Sequence, residues 1–286
     1  MRITIIGPGI MQIPPVGWGA TEILINDHAT KLRELGHKIT IVNEINLEKR
    51  IKLILKSNPQ IIHLHYEDYL SDKELCPKAN FYFTAHYPYT DQYIKYSSIF
   101  KSKYKYKFLK FLVSIIPYRI LILFRFDEVL LSLILYYPKF IKIILNSNKK
   151  IICISKNNAE AYKKYGYSEK IFLSQNYVNE KLISFQKSNF NHAAICVGKI
   201  ESRKNQSKLQ KINNLFFVGP IADKSFNHKN NNYLGEWNRE ELYRNLTSFS
   251  TLVLLSKGEA HALVIAEALV AGLGVVVSEE ASANLD

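Results

Sequence analysis

The sequence predicts an α/β protein built from two Rossmann-like, doubly wound domains. Short apolar runs rich in β-branched residues alternate with helical patterns, and a second alternation starts after a polar stretch. Strands that alternate with helices are joined by right-handed crossovers, so both sheets should be parallel. We expect an N-terminal domain at residues 1–185 and a C-terminal domain at 193–286, with 182–192 as a linker and a cleft between the two sheets.

The first domain begins with RITIIG (2–7), a continuous β-branched run ended by glycine, as expected of a buried strand. Apolar residues at helical spacing then predict a helix that starts at Ala20 and that Gly36 stops. The same alternation continues along the rest of this domain. Further strands are predicted at 39–44, 61–66, 80–87, 149–156 and 170–176, and further helices at 48–58 and 158–166.

The second domain repeats the alternation. Its strands are predicted at 193–199, 215–220, 251–256 and 274–279, and its helices at 239–249 and 262–271. No helix is predicted after the last strand, whereas a Rossmann-like domain would normally run to about 150 residues. We therefore expect this domain to be incomplete at its C-terminus.

The composition is that of a globular protein, with 47% apolar and 22% charged residues, and it argues against a disordered chain. The net charge of +13 favours an anionic partner such as a nucleotide, a nucleic acid or a membrane surface. An AT-rich genome would also produce this charge, since lysine, asparagine, isoleucine and tyrosine are all abundant. No nucleic-acid-binding motif accompanies the charge, so nucleic acid is the least favoured partner.

Cysteine usage and hydropathy indicate a cytoplasmic protein. The chain has three cysteines and no CxxC pair, and Cys153 and Cys196 lie in apolar strand-like runs, as buried thiols in a reducing compartment would. The N-terminus is a strand and a turn rather than a signal peptide. Charged residues and prolines interrupt the most apolar region, 108–145, so a membrane-spanning helix is not expected there.

Five lysines lie within residues 101–110, mixed with aromatic residues and followed by an apolar run. This pattern suits peripheral contact with an anionic membrane, which would place the protein at the inner face of that membrane. A crossover helix with a basic, solvent-facing side explains the same residues, and the sequence leaves both interpretations open.

Candidate binding residues follow the predicted strands, because ligands of such folds lie outside the carboxyl ends of the strands. After the first strand, Gly7 and Gly9 begin a dinucleotide fingerprint that fails at Gln12. Gly19 and Thr21 instead place small residues at a helix N-terminus, which favours an anion close to the backbone. An ordinary βα loop is the alternative.

Three histidines lie at strand ends, namely His63, His65 and His86. His63 and His65 share one face of their strand, but a metal site needs a third ligand and none has matching spacing, so no metal is predicted. His86, which Tyr87 and Pro88 follow, is the best placed of the three to face the cleft.

The segment VGKIESRKNQ (197–206) places Lys199, Arg203 and Lys204 after a strand that ends at Gly198. Clustered cations at the carboxyl end of a strand suit a diphosphate. A solvated basic loop is the alternative.

Two glutamates interrupt the apolar segment GEAHALVIAEALVAGLGVVVSEE (258–280). Glu259 is predicted in a turn and Glu267 in the following helix, at an angular offset of about 80° that lets both face one cleft. Burying an unpaired carboxylate costs free energy, so a partner or a binding site is expected. A charge that caps the helix would explain Glu259 but not Glu267, which apolar residues flank.

Taken in order, these segments resemble retaining GT-B glycosyltransferases of the family 4 type, also called glycosyl transferases group 1. The resemblance spans the chain and implies the GT-B fold with a truncated C-terminal part. The segments that carry it are IPPVGWGATEILINDHATKLRELGHKITIV, ICISKNNAEAY, SQNYVN, VGKIESRKN, YLGEWNREELYRNL and EAHALVIAE, the last with an E-x7-E pair.

The resemblance implies transfer of a hexose-type sugar from a nucleotide-diphosphate sugar to a glycan or lipid-linked acceptor. It also implies retention of anomeric configuration and no metal or other cofactor. Glu267 would hold the ribose, Glu259 the donor sugar, and the lysines the diphosphate. The implied catalytic residues are His86, Glu259 and Lys204. The implied substrate-binding residues are Gly19, Ala20, Thr21, Lys199, Arg203, His261, Ala262, Leu263 and Glu267.

The chain departs from the family pattern at several of these positions. Lys199 stands in place of the usual arginine, Ala20 in place of a glycine, and EAHA in place of E-G-F-G. Two alternatives remain open, and the lost glycines motivate the second of them. One is another GT-B nucleotide-sugar enzyme such as an epimerase, and the other is a non-catalytic binder of nucleotide sugars or carbohydrates.

Overall fold

The computed structural model describes residues 1–70, 76–90, 92, 96, 102–117, 120–121, 128–135, 150–167, 170–178, 181 and 191–285. Contacts divide the chain into two compact units. The first comprises Met1–Gly7 and Leu35–Ser174, and the second comprises Pro8–Glu34 and Gln175–Asp286. Residues 8–34 thus group with the second unit, although they lie between two strands of the first. The domain bounds 1–185 and 193–286 stay a prediction.

The strands described in the first unit form one parallel sheet in the order β2-β1-β3-β4-β5-β6. From β1 the sheet grows outward to β2 and then continues on the other side of β1, so it is doubly wound and has a switch point between β1 and β3. The strands are β1 (Arg2–Ile6), β2 (Lys38–Val42), β3 (Ile61–Leu64), β4 (Asn80–Ala85), β5 (Lys150–Cys153) and β6 (Ile171–Leu173).

The helices in the same stretch of sequence start and stop where local capping allows. Asn46 precedes the second of them and accepts a hydrogen bond from the backbone N–H of Lys49 (3.0 Å), and Asn58 ends it with φ of 44°. Ser155 caps the last one through the backbone N–H of Asn158. The helices are α1 (Ala20–Glu34), α2 (Leu47–Ser57), α3 (Lys103–Ile115), α4 (Glu128–Leu135) and α5 (Lys156–Lys164).

The core of the first unit is built from the inner strands. Phe83, Leu64 and Ile62 are almost fully buried, as the continuous apolar runs predict for a parallel sheet. Cys153 is buried in this core and Cys196 in the second unit, and both are free thiols. The prediction that both thiols are buried is confirmed, and burial raises the pKa of each to about 12.

The strands described in the second unit form a separate parallel sheet in the order β10-β9-β7-β8. With the first sheet, it confirms the predicted α/β class. The strands are β7 (Asn191–Val197), β8 (Leu215–Val218), β9 (Phe249–Leu254) and β10 (Gly274–Val277). The helices are α6 (Gln206–Leu209), α7 (Arg239–Leu246), α8 (Leu263–Val270) and α9 (Glu279–Ser282), with a 3-10 turn at Ser202–Lys204.

The core of the second unit lies between β7 and β9 and the helices α7 and α8. Ile195, Leu252 and Leu246 are fully buried there, and Ile265 and Ala268 of α8 pack into the same cluster. These contacts set the position of α8 against the sheet. The polar residues of α8 and of the loop before it are therefore held in fixed positions.

Two expectations about the second domain were wrong. The short helix α9 does follow the last strand, because Ser278 accepts a hydrogen bond from the backbone N–H of Ala281 and starts a helical turn. The strand β7 begins at Asn191, inside the predicted linker 182–192, because main-chain pairing with Phe249 extends it regardless of side-chain polarity. Residues 182–190 lie outside the described residues.

The apolar region 108–145 contributes the end of α3 and the whole of α4. Within the described ranges, no helix is both long enough and apolar enough to cross a membrane. Residues 136–145 lie outside the described part of the chain.

Candidate functional site

A cavity of about 330 Å³ lies in the second unit, where the strands β7, β8 and β9 end and α8 begins. Residues from the segment before α1 and from the start of α7 complete its wall. Its charged lining residues are Lys199, Glu201, Arg203, Lys204, Glu236, Arg239, Glu259 and Glu267. The position agrees with the rule that ligands of parallel α/β sheets bind at the carboxyl ends of the strands.

Lys204 points its ammonium at the turn that follows β7. A Cβ atom added to Gly198 would lie 2.7 Å from Nζ of Lys204, so only glycine leaves room for this arrangement. Burial lowers the pKa of the Lys204 ammonium, and the carboxylate of Glu259 opposes this shift. In the described part of the chain the ammonium makes no hydrogen bond or ion pair, so its charge is available to an anion.

The loop that carries these cations is held by Gln206, a residue buried at the start of α6. Its Nε2 donates to the carbonyls of Gly198 and Lys199, each at 3.3 Å, and its Oε1 accepts from the backbone N–H of Glu201 at 3.1 Å. The loop is therefore pre-organised without a ligand. A preset loop spares binding the entropy of ordering it.

Arg203 joins this loop to the segment after β9. Its Nη1 donates to Oε1 of Glu259 (2.8 Å), to the carbonyl of Gly258 (2.6 Å) and to the hydroxyl of Ser256 (3.2 Å). Its Nε and Nη2 donate to Oε1 of Glu201 at 3.0 and 2.7 Å. The guanidinium thus positions Glu259, a role beyond the diphosphate binding that the sequence predicts for it.

Glu267 is buried at 6% exposure and faces the same cavity from α8. The hydroxyl of Tyr243 donates to its Oε1 at 3.4 Å, and Nη2 of Arg239 lies 3.7 Å from that oxygen. Arg239 also lies 3.9 Å from Oδ2 of Asp27 and donates from Nε to the hydroxyl of Tyr243. Burial raises the pKa of Glu267, and Arg239 opposes this shift.

The N-terminus of α8 opens onto the cavity. Its N-cap residue is Ala262, which has no side chain that can accept a hydrogen bond from the first turn. Ala262, Leu263 and His261 all line the cavity, and the carbonyl of His261 accepts from Nδ2 of Asn176 at 3.1 Å. A helix end without a side-chain cap offers backbone N–H groups and the positive end of the helix dipole to an anion.

The segment before α1 also reaches the cavity, which Gly17, Trp18, Gly19 and Ala20 help to line. Nζ of Lys199 lies 5.4 Å from the centre of the Trp18 ring, within range of a cation–π contact. Thr21 is not among the lining residues. The structure thus brings ten of the twelve predicted site residues to one cavity: Gly19, Ala20, Lys199, Arg203, Lys204, Glu259, His261, Ala262, Leu263 and Glu267.

His86 belongs to the first unit, where it follows β4 and contacts His65, the residue that follows β3. Its Nε2 lies 3.0 Å from Nδ1 of His65, whose ring centroid is 4.1 Å from that of His63. Burial raises the pKa of the neighbouring Glu67 to about 7, and the backbone N–H of His86 opposes this shift. Within the described residues, no group of three or more His, Cys, Asp or Glu side chains has the geometry of a metal site.

Sequence reasoning missed Arg239, Tyr243 and Asp27, the residues around Glu267. Arg239 and Tyr243 lie four residues apart on α7, a spacing that places them on one face of a helix. Asn238 starts α7 through a reciprocal capping box with Glu241, which the sequence NREE shows. The capping box therefore predicts where α7 begins, but it does not predict which part of the protein α7 contacts.

A substitution at Gly219, which follows β8, tests the close approach of its backbone to Gly198. Its φ is 133°, and an added Cβ would lie 2.3 Å from the carbonyl oxygen of Gly198. We expect Gly219→Ala to lower the free energy of unfolding by about 2 kcal/mol or more, because backbone atoms cannot move aside cheaply. Denaturant unfolding measures this effect.

Gly274→Ala is the matched control, because its Cβ would meet no atom closer than 3.6 Å. A change of at most about 1 kcal/mol is expected there. Equal losses in the two variants would contradict the close approach of Gly198 and Gly219.

No protein-family model matches the sequence, and no curated protein matches it. Solved structures do match the fold. A sucrose-phosphate synthase from Thermosynechococcus elongatus aligns with a TM-score of 0.63 at 14% identity, over 98% of this chain and 82% of that one. A glycosyltransferase from Rickettsia africae aligns at 0.61 and 15%, over 99% and 81%.

Anabaena HepE, solved in complex with UDP and glucose, aligns with a TM-score of 0.60 at 11% identity, over 99% of this chain and 82% of HepE. At these identities the likeness concerns the fold. The chain therefore has the predicted GT-B fold, with two parallel sheets.

Proposed function

We propose that this protein is a retaining glycosyltransferase of the family 4 type. It would move a hexose-type sugar from a nucleotide-diphosphate sugar to a glycan or lipid-linked acceptor, without a metal ion. The observation that carries the proposal is the meeting of Lys199, Lys204 and the uncapped N-terminus of α8 with Glu259 and Glu267 at one cavity. Cations suit a diphosphate, and carboxylates suit the hydroxyl groups of sugars.

The roles follow from position and charge. Lys204 would contact the diphosphate and neutralise the charge that develops on it as the bond to the sugar breaks. Lys199 and the backbone N–H groups at the start of α8 would hold the same group. Because these positive charges and dipoles are in place before the donor binds, they stabilise the leaving group without reorganisation.

The two carboxylates would bind the two sugars of the donor. Glu267, with a raised pKa and the Tyr243 hydroxyl beside it, would accept hydrogen bonds from the ribose. Glu259, which Arg203 holds in place, would accept hydrogen bonds from hydroxyls of the transferred sugar. His86, Gly19, Ala20 and Thr21 remain proposed for the reacting sugar and the acceptor.

Proteins of similar fold support a nucleotide-sugar donor. HepE has been solved in complex with UDP-glucose. An E. coli protein, described as trehalose-6-phosphate, has been solved bound with UDP-2-fluoro glucose. WaaG, another similar structure, is described as a glycosyltransferase of lipopolysaccharide biosynthesis. We extend the donor class from these proteins to this chain as part of the proposal. The buried, free thiols of Cys153 and Cys196 support a reducing, cytoplasmic location.

Thermal unfolding in the presence of UDP-, GDP- and ADP-sugars tests the donor. At 100 times the dissociation constant, a true donor should stabilise the protein by about 2.7 kcal/mol, and EDTA should not remove the effect. Product analysis by NMR with simple glycans and lipid-linked sugars as acceptors then reports transfer and anomeric configuration.

The outcomes separate the candidate functions. Transfer with retention supports the proposal. Formation of an epimer without transfer would favour the epimerase, and binding without turnover would favour a binder. Absence of any nucleotide-dependent stabilisation would contradict the glycosyltransferase, the epimerase and a binder of nucleotide sugars, and would leave only a binder of carbohydrates.

A further inference from the structure

The outer face of α3 carries a stripe of exposed apolar side chains. Tyr104 is 87% exposed, Phe108 61%, Phe111 59% and Ile115 58%. At 100° per residue these four positions fall within about 60° of one another, so they form one narrow line along the helix.

A different face of α3 packs against the protein. The hydroxyl of Tyr106 donates to the carbonyl of Ile134 in α4 at 3.0 Å. Leu109 and Val113, which share this side of the helix, are partly buried. The helix therefore has one apolar face for its own unit and a second apolar stripe that this packing does not use.

Lysines flank the outer stripe on both sides. Lys105 lies on one side at about 90° from the middle of the stripe, and Lys103, Lys107 and Lys110 lie on the other at about 70–130°. All four are exposed, and the helix contains no acidic residue. Long lysine side chains at such positions can reach the headgroups while the stripe between them meets acyl chains.

We propose that α3 docks on an anionic lipid bilayer and lies in the plane of its interface. The stripe of Tyr104, Phe108, Phe111 and Ile115 would enter the boundary between headgroups and acyl chains, and the lysines would pair with lipid phosphates. Aromatic residues flanked by lysines suit this depth of a membrane better than they suit bulk water.

The charge of the helix favours lipid over a second copy of the chain. A two-fold interface through this stripe would bring four lysines of α3 close to the same four lysines of the partner, with no acidic residue of the helix between them. An anionic lipid surface supplies the complementary charge. The proposal does not rest on sugar transfer and stands or falls separately.

Flotation with vesicles tests the proposal on the full chain. The protein should float with vesicles of phosphatidylcholine containing phosphatidylglycerol and remain at the bottom with phosphatidylcholine alone. Raising the salt to 1 M shortens the Debye length from about 10 Å to about 3 Å and should release most of the protein. The apparent partition coefficient is the quantity to compare.

Two variants test the two halves of the surface. Replacing Phe108 and Phe111 with serine should lower the partition coefficient by about tenfold or more, because two aromatic rings no longer leave water. Replacing the four lysines of α3 with glutamine should lower it by about fivefold per lysine. These lysines are exposed, so that variant is expected to fold.

The matched controls lie on α2, in the same unit. Leu53 and Leu55 are exposed there, as are Lys49, Lys52 and Lys56, and the corresponding serine and glutamine variants should keep the parent partition coefficient. Unchanged flotation of both α3 variants would overturn the proposal. So would equal binding to neutral vesicles, or self-association without vesicles that the Phe108 and Phe111 changes abolish.

Discussion

Replacing Lys204 with methionine is expected to lower the rate of sugar transfer by roughly 10²- to 10³-fold, the usual loss when one fixed electrostatic partner of a developing charge is removed. The ammonium lies against Gly198 in the turn after β7, and it makes no hydrogen bond or ion pair among the described residues. Without it, the negative charge on the departing diphosphate would meet only Lys199 and the helix N-terminus.

The same change separates a catalytic role from a structural one. Burial lowers the pKa of the Lys204 ammonium, so the folded protein holds this charge at a cost. Methionine keeps the length of the side chain and removes the charge, so the melting temperature should stay the same or rise while transfer is lost. A structural lysine would show the opposite pattern.

Lys208→Met is the control, because Lys208 is exposed on α6 and lies outside the cavity wall. Both variants should be assayed by steady-state kinetics with the donor found in the binding screen. Full turnover by the Lys204 variant, or an equal loss in the control, would contradict the assignment.

Replacing Glu267 with glutamine is expected to weaken binding of the nucleotide donor by about 10- to 100-fold, as the loss of a hydrogen bond to a charged group usually does. Glu267 is buried, and its Oε1 already receives the Tyr243 hydroxyl. The side chain of Glu267 also lines the cavity. Calorimetric titration with the nucleoside diphosphate and with the full donor measures the loss.

The pH dependence of donor binding gives a second readout for Glu267. Burial raises the pKa of this carboxylate, so its ionised form is lost at a higher pH than for an ordinary glutamate. Donor affinity that depends on the ionised form should therefore fall as the pH falls through this raised pKa. The glutamine variant should lack this fall.

Glu280→Gln, a change at an exposed glutamate of α9, controls for the loss of one negative charge. Tyr243→Phe should weaken binding less than Glu267→Gln, because it leaves the carboxylate in place. A Glu267→Gln variant that binds the donor as tightly as the parent would contradict the proposal that Glu267 binds the ribose.

Much of the fold was predictable because the inner strands are largely buried on both faces. Such strands must be continuously apolar, and runs like RITIIG and TLVLLS show this directly in the chain. The helix α7 was predictable for a different reason, since its apolar positions recur at helical spacing. The start of β7 at Asn191 was not predictable, because pairing with Phe249 is a contact between distant parts of the chain.

The candidate site was predictable as far as strand ends allow. Lys204, Glu259 and Glu267 follow strands whose carboxyl ends share one edge of the sheet, so the sequence alone placed them near one another. The sequence did not show that Arg203 donates a hydrogen bond to Glu259. Nor did it show that Arg239 and Tyr243 contact the carboxylate of Glu267. These contacts join residues of different elements, and their partners depend on how the elements pack.

The segment GEAHALVIAE (258–267) shows both what the sequence determines and what it leaves to tertiary structure. Its order of residues by itself determined that two carboxylates would stand at a strand end and on the following helix, because helical geometry and burial act locally. Only the tertiary structure decided what those carboxylates meet. The helix α8 packs on β7 and β9, and residues 8–34 group with the second unit. This packing brings cations, carboxylates and the uncapped N-terminus of α8 to one cavity. Contacts between distant parts of the chain leave no periodic pattern in the sequence, so they could not be predicted from it.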